Sequence, residues 1–206
     1  NPVMEQSVLD RLKNGNSLEE IQRLVEEEGA EGLYHLGQLV GCVKRAHDID
    51  ANLSAHVMHE NLVSKASSVL ALLNVIHVTG IDRNQVEYVI DCAEEACGDI
   101  NQRGGGNFAK SAAEIAGLNN ASGSDCRAFC AAPAHAMIEA AALVASGAYH
   151  TVVVTAGGCT AKLGMNGKDH VKKGLPALED MIGGFAVVIT QDDGVNPFIN
   201  LNMLGR

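Results

Sequence analysis

Residues 130 to 145 read Cys-Ala-Ala-Pro-Ala-His-Ala-Met-Ile-Glu-Ala-Ala-Ala-Leu-Val-Ala, and this stretch constrains the fold more than any other. It holds eight alanines, at positions 131, 132, 134, 136, 140, 141, 142 and 145, and His135 and Glu139 are its only side chains with a potential charge. A helix that is small and apolar nearly all round belongs between other layers rather than on a surface. Pro133 fits a helix only in its first turn, where a missing N–H costs nothing. The spacing therefore predicts a helix starting close to Cys130, closed by Ser146-Gly147.

Around that helix, apolar runs alternate with helical ones. Leu62 to Val78 predicts an apolar helix ended by Gly80, and Val86 to Ile90 a short buried strand. Arg103-Gly104-Gly105-Gly106 leads into a helix from about Asn107 to Ala116. Ala121 to Cys126 and Thr151 to Thr155 read as further strands, and Gly183-Gly184 opens a last one, Phe185 to Thr190. Helices alternating with continuous apolar strands mean a layered α/β fold with a buried, largely parallel sheet. With hydrophobic residues at 47%, aromatics at 3% and no Trp, the core is packed from aliphatics, Ala and Gly.

Residues 1 to 59 have a different character and read as an added region of charged, amphipathic helices. Ser17 and Glu20 form a capping box ahead of Ile21, Leu24 and Val25, with Gly29 as a stop. Leu33, Leu36, Val40 and Val43 continue a helical stripe. The boundary near residue 60 separates this addition from the α/β part, 60–206. The net charge of -10 argues against a nucleic-acid or anionic-membrane partner, since both need a basic face. No apolar run reads as a membrane span. Six cysteines without paired spacing argue against a disulfide framework, so a reducing, cytoplasmic setting is expected. The chain is expected to be one piece of a longer polypeptide.

Cys130 is the candidate nucleophile. A cysteine at a helix start meets unpaired N–H groups whose partial positive charge favours the thiolate. The same groups can receive the oxyanion of an acyl-transfer intermediate, and a thioester keeps the acyl group reactive. The alternative is a small buried hydrophobe. Cys126 lies four residues earlier, but no second ligand pair has metal-site spacing. Cys92, Cys97 and Cys159 stand at strand ends, where they border a pocket or simply pack. His56 and His59 with Asp48 and Asp50 read as a solvated loop rather than a metal site. Gly104 to Gly106 with Lys110 offers an anion cradle, or a loop that needs positive backbone angles, and it lacks the spacing of a phosphate or dinucleotide motif. His135 and Glu139 read as a satisfied buried pair or a dimer contact. No metal and no cofactor is assigned.

Asp125-Cys-Arg-Ala-Phe-Cys130-Ala-Ala-Pro, followed by Ala136, Ala140, Ser146-Gly147 and Thr151 to Thr155, resembles the active-site segment of the thiolase and ketoacyl-acyl-carrier-protein synthase III superfamily. The order of elements from about residue 60 to 192 is similar too. The resemblance implies the N-terminal half of a thiolase-like α/β/α/β/α fold with an added N-terminal helical region, and acyl transfer through a Cys130 thioester. Glu94-Glu95-Ala-Cys-Gly-Asp-Ile-Asn-Gln-Arg-Gly-Gly-Gly-Asn-Phe-Ala-Lys resembles, more narrowly, the beta subunits of component C of glycine/sarcosine/betaine reductase complexes. That implies formation of acetyl phosphate from an acetyl group derived from a carboxymethyl-selenoprotein. It also implies two kinds of partner, another component C subunit and the selenoprotein, and a homo-oligomer in which strand 121–126 is the edge of the half-sheet.

The sequence departs from the synthase pattern in one respect. That family pairs its Cys with a His and an Asn, or a second His, from the second half of a duplicated fold, and its first strand would precede residue 1. None of the eight histidines sits where the family places its catalytic His, so no base is assigned. A carbon–carbon condensing synthase is the alternative enzyme, and a non-catalytic scaffold subunit of an acyltransferase complex is the alternative of another class.

Overall fold

Four strands form the central sheet of the computed structural model, which describes residues 14–46, 48–49, 54–93, 107–159, 171–175 and 182–205. They are β3 (Tyr88–Asp91), β4 (Ser122–Asp125), β5 (Val152–Cys159) and β6 (Ile182–Ile189), in the order β4-β3-β5-β6. β3 runs parallel to both β4 and β5, with Asp91 opposite Asp125 on one side and Thr155 on the other. β6 is antiparallel to β5. The sheet is thus mostly parallel, and β4 stands at its edge as expected.

The strands' two-residue period sorts their side chains onto two cores. On one side Val89 and Val153 meet α2 (Ala55–Thr79) and α3 (Phe108–Ile115), through Leu72, Leu73, Ile76, Ala109, Ala112 and Ala113. On the other, Ile90, Val152 and Val154 meet α4 (Ala132–Ala145) through Ala132, Ala136, Ala140 and Val144. α2 approaches the sheet unusually closely at two glycines. A methyl group on Gly157 would be driven into the backbone of Ser64 and Ser68. One on Gly184 would lie 2.7 Å from the Ser67 carbonyl oxygen.

The N-terminal region departs from the expected helices. α1 (Leu18–Glu28) is present, with the Ser17 side chain accepting from the Glu20 N–H and Gly29 at φ 67°. Glu20 itself does not complete the box, because Arg23 donates to both of its carboxylate oxygens at 2.8 and 2.9 Å. Beyond it, Leu33, Leu36, Val40 and Val43 belong to an antiparallel hairpin, β1 (Glu31–His35) and β2 (Gln38–Val43), not to a helix. Their helical spacing is coincidental. Gly32, Gly37 and Gly41 weaken a helix, and Leu36-Gly37 adopts positive φ at both positions, 50° and 77°, as a two-residue hairpin turn demands. The hairpin packs on α1 and α2. α2 also starts earlier than expected, so His59 lies on its first turns rather than in a loop. Its segment Met58–Thr79, with mean hydropathy 1.5, does reach membrane-spanning length, contrary to the sequence expectation. Here that apolarity is spent on the sheet, where Leu72, Leu73 and Ile76 are buried.

α4 corrects a second expectation. Only one stripe of it is covered, by Ala132, Ala136, Ala140, Ala141 and Val144. Ala134, His135, Glu139, Ala142 and Ala145 are exposed in this chain. The far face has the composition of a buried surface but is exposed. Leu at Ala136 or Ala140 should therefore cost about 1–3 kcal/mol or more by overpacking. Leu at Ala134, Ala142 or Ala145 should cost about 0.5 kcal/mol or less in this chain. Denaturation midpoints of the series check the contrast, and equal losses on both faces would show that the far face is covered.

Candidate active site

Cys130 sits in a single 3-10 turn, Phe129–Ala131, between the end of β4 and the start of α4. Pro133 occupies the first turn of α4, as its chemistry requires. Cys130 is exposed. No side chain caps either helix start, at Ala128 or at Ala131. The backbone reaches this turn through Phe129, a non-glycine residue at φ 50° whose ring is 78% exposed. Such a left-handed residue costs about 1–3 kcal/mol and persists only where its surroundings impose it. The result is an accessible thiol at a helix start without a side-chain cap, where the N–H groups of Ala131 and Ala132 donate to the Ala128 and Phe129 carbonyl oxygens.

The neighbouring thiols are differently placed. Cys92 follows β3 and is buried under α4, where burial, and then the negative charge of Asp91, push its thiol up to about 12. Cys126 is half-buried, its Sγ 3.8 Å from the Ala132 carbonyl oxygen, and burial first, then Glu139, raises its pKa. Cys42 lies on the hairpin, on β2. Cys97 and the side chain of Cys159 fall outside the described residues. Since the thiolate is the reactive form, Cys130 should be alkylated first by limiting iodoacetamide, Cys126 later and Cys92 last. Mass mapping of labelled peptides from the intact protein reads that order, and faster labelling of Cys42 or Cys92 would refute it.

The end of the sheet behind Cys130 carries a charged network that the sequence reading missed. Asp91 is fully buried, and Arg127 bridges it to Asp125. The Arg127 Nη1 donates to the Asp91 Oδ1 and main-chain oxygen, each at 3.0 Å, and its Nη2 lies 3.2 Å from the Asp125 Oδ2. Asp91 also accepts from the Ser68 hydroxyl at 2.8 Å and from the Ala93 N–H at 3.1 Å. Burial nevertheless raises its pKa, and the bonds from Ser68 and Arg127 work against that rise. Removing Arg127 would leave a buried carboxylate uncompensated, a loss of about 3–5 kcal/mol for such pairs. One signal for this was available, a lone acid closing the apolar run Val89-Ile90-Asp91.

The other candidates resolve as follows. The α3 start is no anion cradle. Asp125 accepts from the N–H groups of Phe108 and Ala109, at 3.0 and 2.9 Å, and Asn107 accepts from that of Lys110 at 2.7 Å. The Lys110 ammonium is turned to the Ala121 carbonyl oxygen at 2.9 Å. Gly104, Gly105 and Gly106 lie outside the described residues. Asp48 pairs with Arg45 at 3.2 Å, and Asp50 and the side chain of His56 are not described. His135 and Glu139 are exposed, not buried as a pair, because the far face of α4 is open. Among the described residues, no group of three or more His, Cys, Asp or Glu side chains is placed to hold a metal ion.

No protein-family model matches the chain. The glycine/sarcosine/betaine reductase complex component C subunit beta of Peptoclostridium acidaminophilum is 58% identical over 200 residues, which is 97% of this chain and 39% of that protein. The chain therefore spans about two fifths of that relative's length. Among solved structures, cerulenin-bound Xanthomonas campestri OleA from a co-crystal aligns with 92% of this chain and 51% of its own at 14% identity, TM-score 0.50. The priming beta-ketosynthase of the R1128 polyketide pathway aligns with 44% of this chain and 26% of its own at 25% identity, TM-score 0.39. The likeness to OleA bears on fold alone. The chain has a thiolase-like fold and is homologous, along nearly its whole length, to part of a component C beta subunit of glycine/sarcosine/betaine reductase.

Proposed function

We propose that this chain carries an acyl group as a thioester on Cys130, within the beta subunit of component C of a glycine/sarcosine/betaine reductase. The observation that carries the reading is the position of Cys130, exposed at the uncapped start of α4 while Cys92 and Cys126 are shifted towards the thiol. In this reading the carbon–selenium bond of a carboxymethyl-selenoprotein breaks, and the selenium and a thiol of that partner supply two electrons by forming a selenenyl sulfide. One carboxylate oxygen leaves as water, and the resulting acetyl group is held as a thioester on Cys130. Phosphate then attacks the thioester carbonyl. The carbon–sulfur bond breaks, acetyl phosphate leaves and the thiolate is restored. The main-chain N–H of Cys130 itself receives the oxyanion of each tetrahedral intermediate. The base and the cover for the open face of α4 come from the rest of a longer protein. The setting is cytoplasmic, the partners are the second component C subunit and the selenoprotein, and the assembly is a homo-oligomer paired through the β4 edge. Sedimentation of the whole protein as a monomer at micromolar concentration would count against that last point.

The test runs the last step backwards. The full-length protein is incubated with isotopically labelled acetyl phosphate, quenched in acid and mapped by mass spectrometry. Label on the Cys130 peptide, released by hydroxylamine, is the expected result. Label on another cysteine, or none, overturns the reading. A condensing synthase would instead take label from an acyl thioester and pass it to a carbon nucleophile, and a scaffold subunit would take none from either donor.

A further inference from the structure

We infer that Arg127 is a positioning residue for Cys130, locking the turn that carries the nucleophile onto the ends of two strands. The inference rests on Cys130 being the acyl carrier.

Residues 126 to 131 carry the nucleophile between two regular elements. They connect β4 to α4, and neither helix start within them has a side-chain cap. The backbone supplies three anchors: the Cys126 N–H to the Asp91 carbonyl oxygen at 2.9 Å, the Ala131 N–H to the Ala128 carbonyl oxygen at 3.1 Å, and the Ala132 N–H to the Phe129 carbonyl oxygen. The last two lie within the turn and the helix start, and the first ties the beginning of the segment to β3. Phe129 is held at φ 50° although the residue is 78% exposed, so its own packing does not hold it there. Arg127 adds a side-chain tie from this segment to the core. Its guanidinium joins the last residue of β3 to the last residue of β4, and its centre lies 5.7 Å from the centre of the Phe108 ring on α3. Asp125 in turn caps α3. One planar fork thus ties the loop, three residues before the thiol, to three elements of the core. A lysine cannot reproduce this, because a single ammonium lacks the fork that engages two acids and a carbonyl at fixed angles.

Acyl transfer and simple alkylation make different demands on this geometry. Transfer needs the sulfur aligned on the carbonyl carbon and the Cys130 main-chain N–H on its oxygen, and small misplacements are costly. Alkylation by iodoacetamide needs an accessible thiolate only. A positioning role therefore predicts that the two readouts separate.

The test uses the full-length protein with Arg127→Lys and Arg127→Ala. Acetyl phosphate–phosphate exchange, alkylation of Cys130 and alkylation of buried Cys92 are measured on each. In Arg127→Lys, exchange should fall roughly tenfold or more, with Cys130 alkylation within about threefold of the parent and Cys92 unlabelled. In Arg127→Ala, millimolar guanidinium should restore part of the exchange. Exchange in Arg127→Lys within about twofold of the parent, with Cys92 unlabelled, overturns the inference. If Cys92 becomes labelled in the lysine variant, guanidinium rescue of the alanine variant decides: rescue supports positioning, and its absence overturns it. Failure of the unsubstituted protein to exchange or to acquire label on Cys130 would count against the acyl-carrier reading instead, which keeps the two outcomes apart.

Discussion

Replacing Gly157 with Ala should destabilise the protein by about 3 kcal/mol or more. The new methyl group meets the Ser64 carbonyl oxygen and the Ser68 nitrogen, which are main-chain atoms of α2 and cannot swing aside like a flexible side chain. Relief requires moving a 25-residue helix off β5 and β6, and that opens the core built on Leu72, Leu73 and Val153. Gly158→Ala is the control. It points to the other face of the strand, where no atom of the described residues lies within 4 Å of the added carbon, and its cost should be about 0.5 kcal/mol or less. Urea unfolding of both variants measures the contrast. Equal stabilities would mean that the helix does not sit against Gly157 as described.

Cys130→Ala should abolish acyl transfer, lowering acetyl phosphate–phosphate exchange on the order of a thousandfold or more. Stability should barely change, because the side chain is exposed. Cys126→Ala is the informative companion. Its sulfur is half-buried against the Ala132 carbonyl oxygen, so the substitution should cost some stability yet leave exchange within about threefold of the parent. If exchange survives in Cys130→Ala and fails in Cys126→Ala, the nucleophile is the wrong cysteine. Loss in both would make them a functional pair.

The parts of this fold that were legible in the sequence are those where one signal dominates. Pro133 and the Ser146-Gly147 stop bracket α4, and the apolar runs at 86–90 and 151–155 mark β3 and β5 to within a few residues. The hairpin at 31–43 was misread because Leu33, Leu36, Val40 and Val43 satisfy a helical period, while the glycines that veto a helix lie between them. The charged network was invisible for another reason. Asp91, Asp125 and Arg127 meet only through the parallel pairing of β3 with β4, and no local pattern specifies which residues of two distant strands face each other. The placement of Cys130 at the start of a helix was legible because the signal for it, Pro133 three residues later, is local. The exposure of His135 and Glu139 was not, since the alanine content of α4 reports what that helix is built to contact rather than what this chain supplies.

The buried Asp91 has a consequence for how the sheet assembles. Strands β3, β4 and β5 are parallel and joined by long crossovers, so no tight turn aligns them. Apolar residues give little alignment of their own, because Val and Ile pair with any neighbour. Asp91 faces α2, where the Ser68 hydroxyl donates to it, and Thr155 opposite it also accepts or donates within 3.3 Å of that same hydroxyl. A slip of β3 by one residue would turn the carboxylate to the opposite face, among Ala132, Ala136 and Ala140. There it would have no hydroxyl and no guanidinium, and burying such a charge is far costlier than any apolar mismatch. The acid thus acts as an alignment key, admitting one pairing of three otherwise interchangeable strands, and that pairing is the one that brings Arg127 and the turn bearing Cys130 to the same end of the sheet.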